Sequence, residues 1–155
     1  MEFHEQDYNE RLKAGNISES KAEEFYKSKD IPITRCGFNE QDKTKNFYKI
    51  PYLVRSLPDY VIIPKEPYFL EVKGCRDILK VKTSDMNGYD VWDKVIPIIV
   101  FVYSVTHKHC YRIKYPKLKE ILSIMGKDGI YPDNKKRYRS IDVKELSLVG
   151  EYCKL

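Results

Sequence analysis

Residues 58–74 of this chain read PDYVIIPKEPYFLEVKG. Two apolar runs, 60–63 and 68–73, flank a segment with two prolines, which predicts two strands joined by a tight hairpin connection. Asp59 opens the first strand, whereas Glu71 and Lys73 stand near the end of the second. Because side chains alternate along a strand, Glu71 and Lys73 share one face, and the hairpin brings Asp59 close to Glu71.

These three side chains have the chemistry of a metal site. Two neighbouring carboxylates repel each other, and a divalent cation neutralises them. Their hard oxygen atoms suit Mg²⁺, with Mn²⁺ as a substitute. Lys73 could orient or deprotonate a metal-activated water and stabilise charge on phosphoryl oxygens. An isolated Glu-x-Lys triplet is more often a solvated strand face, so the preceding Pro-Asp, the apolar runs and the following Gly74 make it informative here.

The remaining patterns predict an α/β (α+β) chain. In chain order they predict a helix at 17–29, strands at 31–36 and 47–54, a helix at 84–95, strands at 96–103 and 110–113, and a helix at 116–125. The charged segment 40–46 is expected to be a loop, and Gly74 to end the strand that carries Glu71. Residues 140–155 carry no clear pattern.

In this order of elements, Pro58-Asp59 followed by Glu71-Val72-Lys73-Gly74 resembles the signature of the PD-(D/E)XK, or restriction-endonuclease-like, nuclease superfamily. The resemblance covers about residues 15–103. It implies a restriction-endonuclease-like core of αβββαβ order, in which helices flank a mixed central sheet. Positions in the first helix and first strand are also similar to apolar positions of phage and archaeal-type Holliday junction resolvases; these are Ala22, Tyr26, Ile31 and Ile33.

The resemblance also implies which residues form the site. By resemblance, the metal ligands would be Asp59, Glu71, the carbonyl of Val72 and Glu19, and Lys73 would be the catalytic lysine. Glu19 is chosen because a glutamate of the first helix often completes such sites. Glu23 is the alternative, although it lies further from the apolar face of the helix. Glu19 could equally be a first-turn glutamate that the helix dipole favours.

The implied activity is that of a Mg²⁺-dependent DNA endonuclease that hydrolyses phosphodiester bonds and selects branched or Holliday-junction DNA. Junction cleavage needs two cuts, so this interpretation predicts a homodimer. A restriction-like or repair endonuclease is the near alternative. A non-catalytic nucleic-acid-binding module of the same fold is a second, and a structural protein with incidental acidic residues is a third.

Basic residues outside the site could contact DNA. The formal net charge of +5 and pI of about 8.9 are compatible with a polyanionic partner. The candidates follow the Glu-x-Lys strand or lie in an expected loop; they are Arg76, Lys80, Lys82, Lys135, Lys136, Arg137 and Arg139. A solvated surface is the alternative for all of them. Tyr89 and Trp92 are expected to pack a helix on the sheet rather than to stack on bases.

Length and composition predict a single domain of residues 1–155, with a core at about 15–105 and an extension at 106–155. No stretch resembles a signal peptide, and the apolar run 95–105 is too short to cross a bilayer. The four scattered cysteines suggest free thiols in the cytoplasm or another reducing compartment rather than a secreted protein. A zinc site of cysteines with His107 and His109 is the alternative.

Overall fold

A computed structural model describes residues 2–38 and 46–155, with side chains from residue 8 onward. The helices are α1 (Glu2–Ser28), α2 (Tyr52–Arg55), α3 (Thr83–Trp92) and α4 (Tyr115–Met125). The strands are β1 (Ile33–Arg35), β2 (Tyr60–Ile62), β3 (Tyr68–Cys75), β4 (Ile78–Lys82), β5 (Ile98–Ser104), β6 (His109–Lys114), β7 (Lys127–Ile130), β8 (Arg137–Asp142) and β9 (Glu151–Cys153). Short 3₁₀ helices occupy Phe47–Lys49 and Val143–Leu148.

A six-stranded mixed sheet, in the order β1-β2-β3-β5-β6-β9, forms the centre of the fold. Strands β2 and β3 pair antiparallel, as the hairpin pattern predicted; β1 also pairs antiparallel with β2, and β3 pairs parallel with β5. The path α1-β1-β2-β3-α3-β5 has the predicted αβββαβ order. The mixed α/β fold, with helices flanking a mixed central sheet, is therefore confirmed. A second sheet of order β4-β8-β7 was not predicted.

The two faces of the central sheet bury separate apolar clusters. On one face, α1 packs Ala22, Phe25 and Tyr26 against side chains such as Leu70 and Phe101. On the other face, residues of α3, α4 and the second sheet pack together in a larger cluster. Strand β5 is buried almost throughout, which explains its continuous apolar sequence.

Helix α1 begins much earlier than the predicted start at residue 17. Its N-terminal half is polar and lacks an apolar stripe, but it packs on β3 and carries Arg11, which pairs with Asp133 at 2.7 Å. Tertiary contacts of this kind override weak local signals. The helix ends at Ser28, two residues before Asp30, whose φ is positive at 54°, and Pro32 then prevents its continuation.

The strand predicted over 47–54 is wrong. This segment forms the first 3₁₀ helix and then α2, which starts directly after Pro51. Aromatic and β-branched residues favour a strand only where a neighbouring strand and a buried face are present, and Tyr48 and Tyr52 are exposed instead. Of the loop expected at 40–46, residues 40–45 lie outside the described part of the chain.

Strand β3 runs through Gly74, which therefore does not end it. The glycine permits close approach, because a Cβ at this position would lie 2.3 Å from Oγ of Ser18 and 2.4 Å from the carbonyl oxygen of Ala14. Gly74 thus lets α1 lie directly on β3.

The C-terminal third also differs from the expectations. Residues 137–139 belong to β8 rather than to a loop, and the unassigned tail supplies β9, which pairs with β6. Residues beyond 105 therefore contribute to the same central sheet as the αβββαβ core. Across the described residues, no helix has the length and apolar character needed to cross a membrane.

Candidate active site

The β2–β3 hairpin places the two predicted carboxylates opposite each other. Tyr60 pairs with Leu70, and one further step in this antiparallel register sets Asp59 opposite Glu71. The Asp59 carboxylate is fixed by the backbone N–H of Val72, which donates to Oδ2 at 2.8 Å. The hairpin therefore brings Asp59, Glu71 and Lys73 together, as the spacing predicted.

Glu71 is a buried carboxylate, 7% exposed, with two partners on one oxygen. Nζ of Lys73 lies 3.0 Å from Oε1, and the phenol of Tyr89 donates to the same oxygen at 2.6 Å. Both residues approach from the face that packs against α3. A buried charge is tolerable when it is paired and hydrogen-bonded, as Glu71 is here.

Lys73 is held as an ammonium by its surroundings. Burial lowers its pKa, but Tyr89, Asp85 and Glu71 raise it by more, so that the net pKa lies well above the ordinary value. Asp85 contributes an ion pair of 3.1 Å, and the pKa of Asp85 is lowered because Lys73 and Lys82 outweigh its burial. The Lys73 ammonium therefore suits stabilisation of negative charge better than proton abstraction.

Of the two carboxyl groups, Asp59 and Glu71, Asp59 is the one whose ionisation its surroundings disfavour. Burial and the nearby charge of Glu71 raise its pKa well above the ordinary value, and the Val72 N–H and Lys73 offset only part of this effect. The charge of Glu19 adds a smaller increase. The fold thus holds a carboxylate where a negative charge is disfavoured, and a cation beside Asp59 and Glu71 would relieve that repulsion.

Glu19 lies on α1 and has a different partner. Its Oε2 accepts a hydrogen bond of 2.7 Å from Arg35, and the same guanidinium nitrogen donates to the Tyr60 hydroxyl at 2.7 Å. That hydroxyl donates to Oε1 of Glu23 at 2.8 Å. The two rival glutamates therefore belong to one network, centred on Arg35 and Tyr60, beside β1 and β2.

The residues of this site fit a divalent metal in the chemistry of their donor atoms. Asp59, Glu71 and the Val72 carbonyl offer hard oxygens, and Mg²⁺ commonly binds through one or two carboxylates plus substrate oxygens. Within residues 2–38 and 46–155, no three His, Cys, Asp or Glu side chains are grouped so that they could hold a metal ion. Glu19 is thus not gathered with the other two carboxylates.

The basic residues predicted to contact DNA fall into three places. Lys80 and Lys82 project from β4 into a cleft that begins at Lys73, and Arg76 lines the same cleft while its guanidinium lies 3.4 Å from Glu10. Residues 135–137 are exposed at the β7–β8 turn. The Arg139 guanidinium is engaged inside the fold: it donates to the carbonyls of Leu122, Ser123 and Gly126 and pairs with Asp128.

The sequence analysis missed Asp85 and Arg35 as residues of the site and gave Tyr89 only a packing role. Asp85 and Tyr89 are four residues apart on α3, and this spacing places both over the Glu71–Lys73 pair. The sequence pattern that could have identified them is a carboxylate and a phenol at this four-residue spacing on one face of the predicted helix. Trp92, one turn further, packs edge-on against Phe69 at 5.9 Å, as predicted. Arg35 carried no signal beyond its place at the end of a short strand.

Cys36 borders the site, since its backbone N–H donates to the carbonyl oxygen of Asp59 at 3.0 Å. All four thiols are free, and three of them are buried. His107 lies 3.0 Å from Asp77, whereas His109 is exposed on β6 and packs on Tyr152. Among the described residues these groups form no metal cluster, so the alternative zinc site has no arrangement to support it.

Comparisons with known proteins find similarity among solved structures. No protein-family model and no curated protein matches the chain. Among solved structures, that of a nuclease from a fusselovirus is similar to this chain, with a TM-score of 0.44 and 14% sequence identity. The alignment covers 91% of this chain and 82% of that chain.

Proposed function

We propose that this chain is a metal-dependent nuclease that hydrolyses phosphodiester bonds in DNA. The observation that carries the proposal is the pairing of Asp59 with Glu71 beside the Lys73 ammonium, which lies 3.0 Å from Glu71. Two carboxylates whose mutual repulsion a cation would relieve, next to a fixed positive charge, are the parts that phosphodiester hydrolysis requires.

The metal in this proposal is Mg²⁺, with Mn²⁺ as its substitute. Asp59, Glu71 and the carbonyl of Val72 would hold it, and Glu19, now paired with Arg35, is the fourth candidate ligand. A bound metal supplies an activated water and polarises the phosphate. The chain itself would contribute the Lys73 charge, which stabilises developing negative charge on the phosphoryl oxygens, and Tyr89, which fixes the orientation of Glu71.

Branched DNA is the substrate class that we propose. The resemblance of the first helix and strand to those of junction resolvases motivates it. Symmetric cleavage of a four-way junction needs two active sites, so a homodimer is part of this finer proposal. Restriction-like and repair endonucleases are its near alternatives.

Cleavage of labelled DNA tests the proposal. Four-way junction, flap, duplex and single-stranded DNA are incubated with Mg²⁺, Mn²⁺ or EDTA, using the wild type, Glu71→Ala and Lys73→Ala. We expect metal-dependent cleavage that either substitution reduces by roughly 10³-fold or more, since each removes a group acting at the reacting phosphate. Lys117→Ala, an exposed charge change on α4, is the matched control and should cleave like the wild type.

A non-catalytic nucleic-acid-binding module is the second candidate function. It is favoured by one observation: Glu71 already has an ion-pair partner in Lys73 at 3.0 Å, and no third carboxylate joins Asp59 and Glu71 among the described residues. Titration with Mn²⁺ separates the two candidates, with binding detected by the paramagnetic relaxation that the bound ion causes in nearby nuclei. A binding module retains DNA affinity without taking up Mn²⁺ at this site, whereas the nuclease takes it up and loses uptake in Asp59→Asn.

A further inference from the structure

The cleft beside Lys73 has a volume of about 470 Å³ and continues from the site along β3 and β4. Residues 8–15 of α1 form one wall and residues 131–134 of the β7–β8 turn form the other. The two walls are joined by the Arg11–Asp133 ion pair at 2.7 Å. The two walls of the cleft are therefore bridged by a side-chain ion pair.

Cations converge on one aromatic ring within this cleft. Arg11 lies 4.7 Å from the centroid of the buried Tyr131 ring, Lys80 lies 5.6 Å from it and Lys82 5.8 Å. The Tyr138 ring lies against Tyr131, tilted by 55° with centroids 4.6 Å apart, and its centroid is 5.0 Å from Nζ of Lys80. Aromatic rings attract such cations, but cations so close together repel one another.

The positive charge of the cleft is only partly balanced. Burial lowers the pKa of Lys82, and Lys73, Lys136 and Arg11 lower it further, while Asp85 raises it. Asp85 and Asp133 are each already paired, with Lys73 and Arg11 respectively. Bound anionic groups, such as successive phosphates of a nucleic acid, would relieve this repulsion.

The dimensions restrict which nucleic acid fits. A DNA duplex, whose major groove alone is about 12 Å wide, cannot lie between two walls that an ion pair of 2.7 Å joins. A positively charged groove lined with aromatic rings is the arrangement that proteins use for single strands.

We propose that this cleft binds a single-stranded segment of DNA and leads it to Lys73. The inference rests on the proposed nuclease function and narrows its substrate to DNA in which one strand leaves a duplex, such as a flap. Lys80 and Lys82 contact successive phosphates of that strand. Residues of α1 and the β7–β8 turn confine it from both sides.

The test compares binding of single-stranded and duplex DNA in EDTA, where cleavage cannot occur. The probes are a fluorescein-labelled 15-nucleotide oligothymidylate and a blunt 15-base-pair duplex, measured by anisotropy at several salt concentrations. For Lys80→Gln/Lys82→Gln we expect about tenfold weaker binding of the single strand and a salt slope smaller by about 1.4, or about 0.7 per lost phosphate contact. Duplex affinity should change by less than about threefold, since the duplex stays outside the cleft.

Two further variants control for charge and folding. Lys117→Gln/Lys144→Gln removes the same charge from exposed positions on α4 and the second 3₁₀ helix and should leave both affinities unchanged. Lys80→Arg/Lys82→Arg keeps the charge and should restore single-strand binding, which excludes unfolding as the cause of a loss. Equal weakening for both probes, or unchanged single-strand binding, would overturn the inference.

The same experiment separates this inference from the proposed function. Glu71→Ala should abolish cleavage but retain single-strand binding. If cleavage depends on Glu71 while the Lys80/Lys82 variant binds the single strand normally, the nuclease stands and the cleft assignment fails. If no DNA is cleaved but that variant no longer binds the single strand, the cleft binds single-stranded DNA in a protein that is a binding module and not a nuclease.

Discussion

The phenolic hydroxyl of Tyr89 donates a hydrogen bond of 2.6 Å to Oε1 of Glu71, the carboxylate oxygen that also lies 3.0 Å from Lys73. Tyr89 of α3 thus fixes the orientation of the Glu71 carboxylate. The nearby charge of Glu71 and, above all, burial raise the pKa of Tyr89 well above its ordinary value, so the phenol keeps its proton and remains a donor.

Tyr89→Phe removes this donor while keeping the ring that packs edge-on against Tyr115. We expect the rate of DNA cleavage to fall by about tenfold, equivalent to the roughly 1.4 kcal/mol of one hydrogen bond to a charged group. Single-turnover cleavage rates measure the effect. Tyr115→Phe is the matched control, because its hydroxyl contacts Asp90 and Met86 instead of Glu71. Equal losses in both variants would show that the effect is structural.

Asp59 predicts a dependence of stability on pH in the absence of metal. Burial and Glu71 raise the pKa of this carboxyl in the folded chain above its unfolded value near 3.8. Because the folded state binds the proton more tightly, stability contributed by protonated Asp59 is present below pH 3.8 and is lost as the pH rises toward the folded pKa. At neutral pH Asp59 therefore contributes less to the stability of the fold than it does below pH 3.8.

Asp59→Asn should consequently be more stable than the wild type at pH 7–8 in EDTA, and this advantage should shrink as the pH falls toward 4. Chemical denaturation at several pH values measures it. Added Mg²⁺ should stabilise the wild type in proportion to its binding and have a smaller effect on Asp59→Asn. If Asp59→Asn is less stable than the wild type at pH 8, the pKa of Asp59 is not raised by the fold.

The sequence predicted the part of the site that lies within one hairpin. Asp59, Glu71 and Lys73 follow from strand alternation and a tight turn, both of which are local properties. The partners of these residues were not predictable, because Tyr89 and Asp85 meet them only after α3 packs on the sheet. Glu19 shows the same limit, since its pairing with Arg35 depends on how α1 is placed against β1.

For the fold too, local patterns were predictable from sequence and tertiary contacts were not. The αβββαβ order was read from periodic segments, whereas the N-terminal half of α1 and the strand β9 lack periodic apolar residues and are held by tertiary contacts. Gly74 was read as a strand end because glycine weakens strands. Its actual role, close packing of β3 against α1, could be seen only with both elements in place.

Two arginines of β8 have different roles: Arg139 stabilises the fold, whereas Arg137 lies on the surface. Arg139 donates to three carbonyls at the end of α4, including those of Leu122 and Gly126, and charged donors satisfy such terminal carbonyls well. Arg139→Ala should lower the free energy of unfolding by about 1–3 kcal/mol. Arg137→Ala, at an exposed position of β8, should stay within about 0.5 kcal/mol of the wild type.

Urea denaturation gives both values, and DNA binding by the two variants then tests their predicted contacts with DNA. We expect Arg137→Ala to weaken binding at unchanged stability if it contacts phosphate. Arg139→Ala should change affinity only as far as its fold is impaired. An Arg139→Ala protein of full stability with reduced DNA affinity would reverse these roles.

Two glycines on either side of the α1–β3 contact give opposite predictions for the same substitution. A Cβ on Gly74 would lie 2.3 Å from Ser18 Oγ and 2.4 Å from the Ala14 carbonyl oxygen, so the helix and the strand must separate. Gly74→Ala should destabilise the fold by about 1–3 kcal/mol, and by more if the helix cannot shift. Because Gly74 is adjacent to Lys73, cleavage should fall as well.

Gly15 lies inside α1 and has no atom within 4 Å of an added Cβ. Alanine has the higher helix propensity, so Gly15→Ala should raise the free energy of unfolding by about 0.5–1 kcal/mol. Urea denaturation of the two variants side by side measures the contrast. A destabilising Gly15→Ala would mean that α1 is not helical at this point. A neutral Gly74→Ala would mean that α1 does not lie on β3, and the wall it forms beside Lys73 would be misplaced.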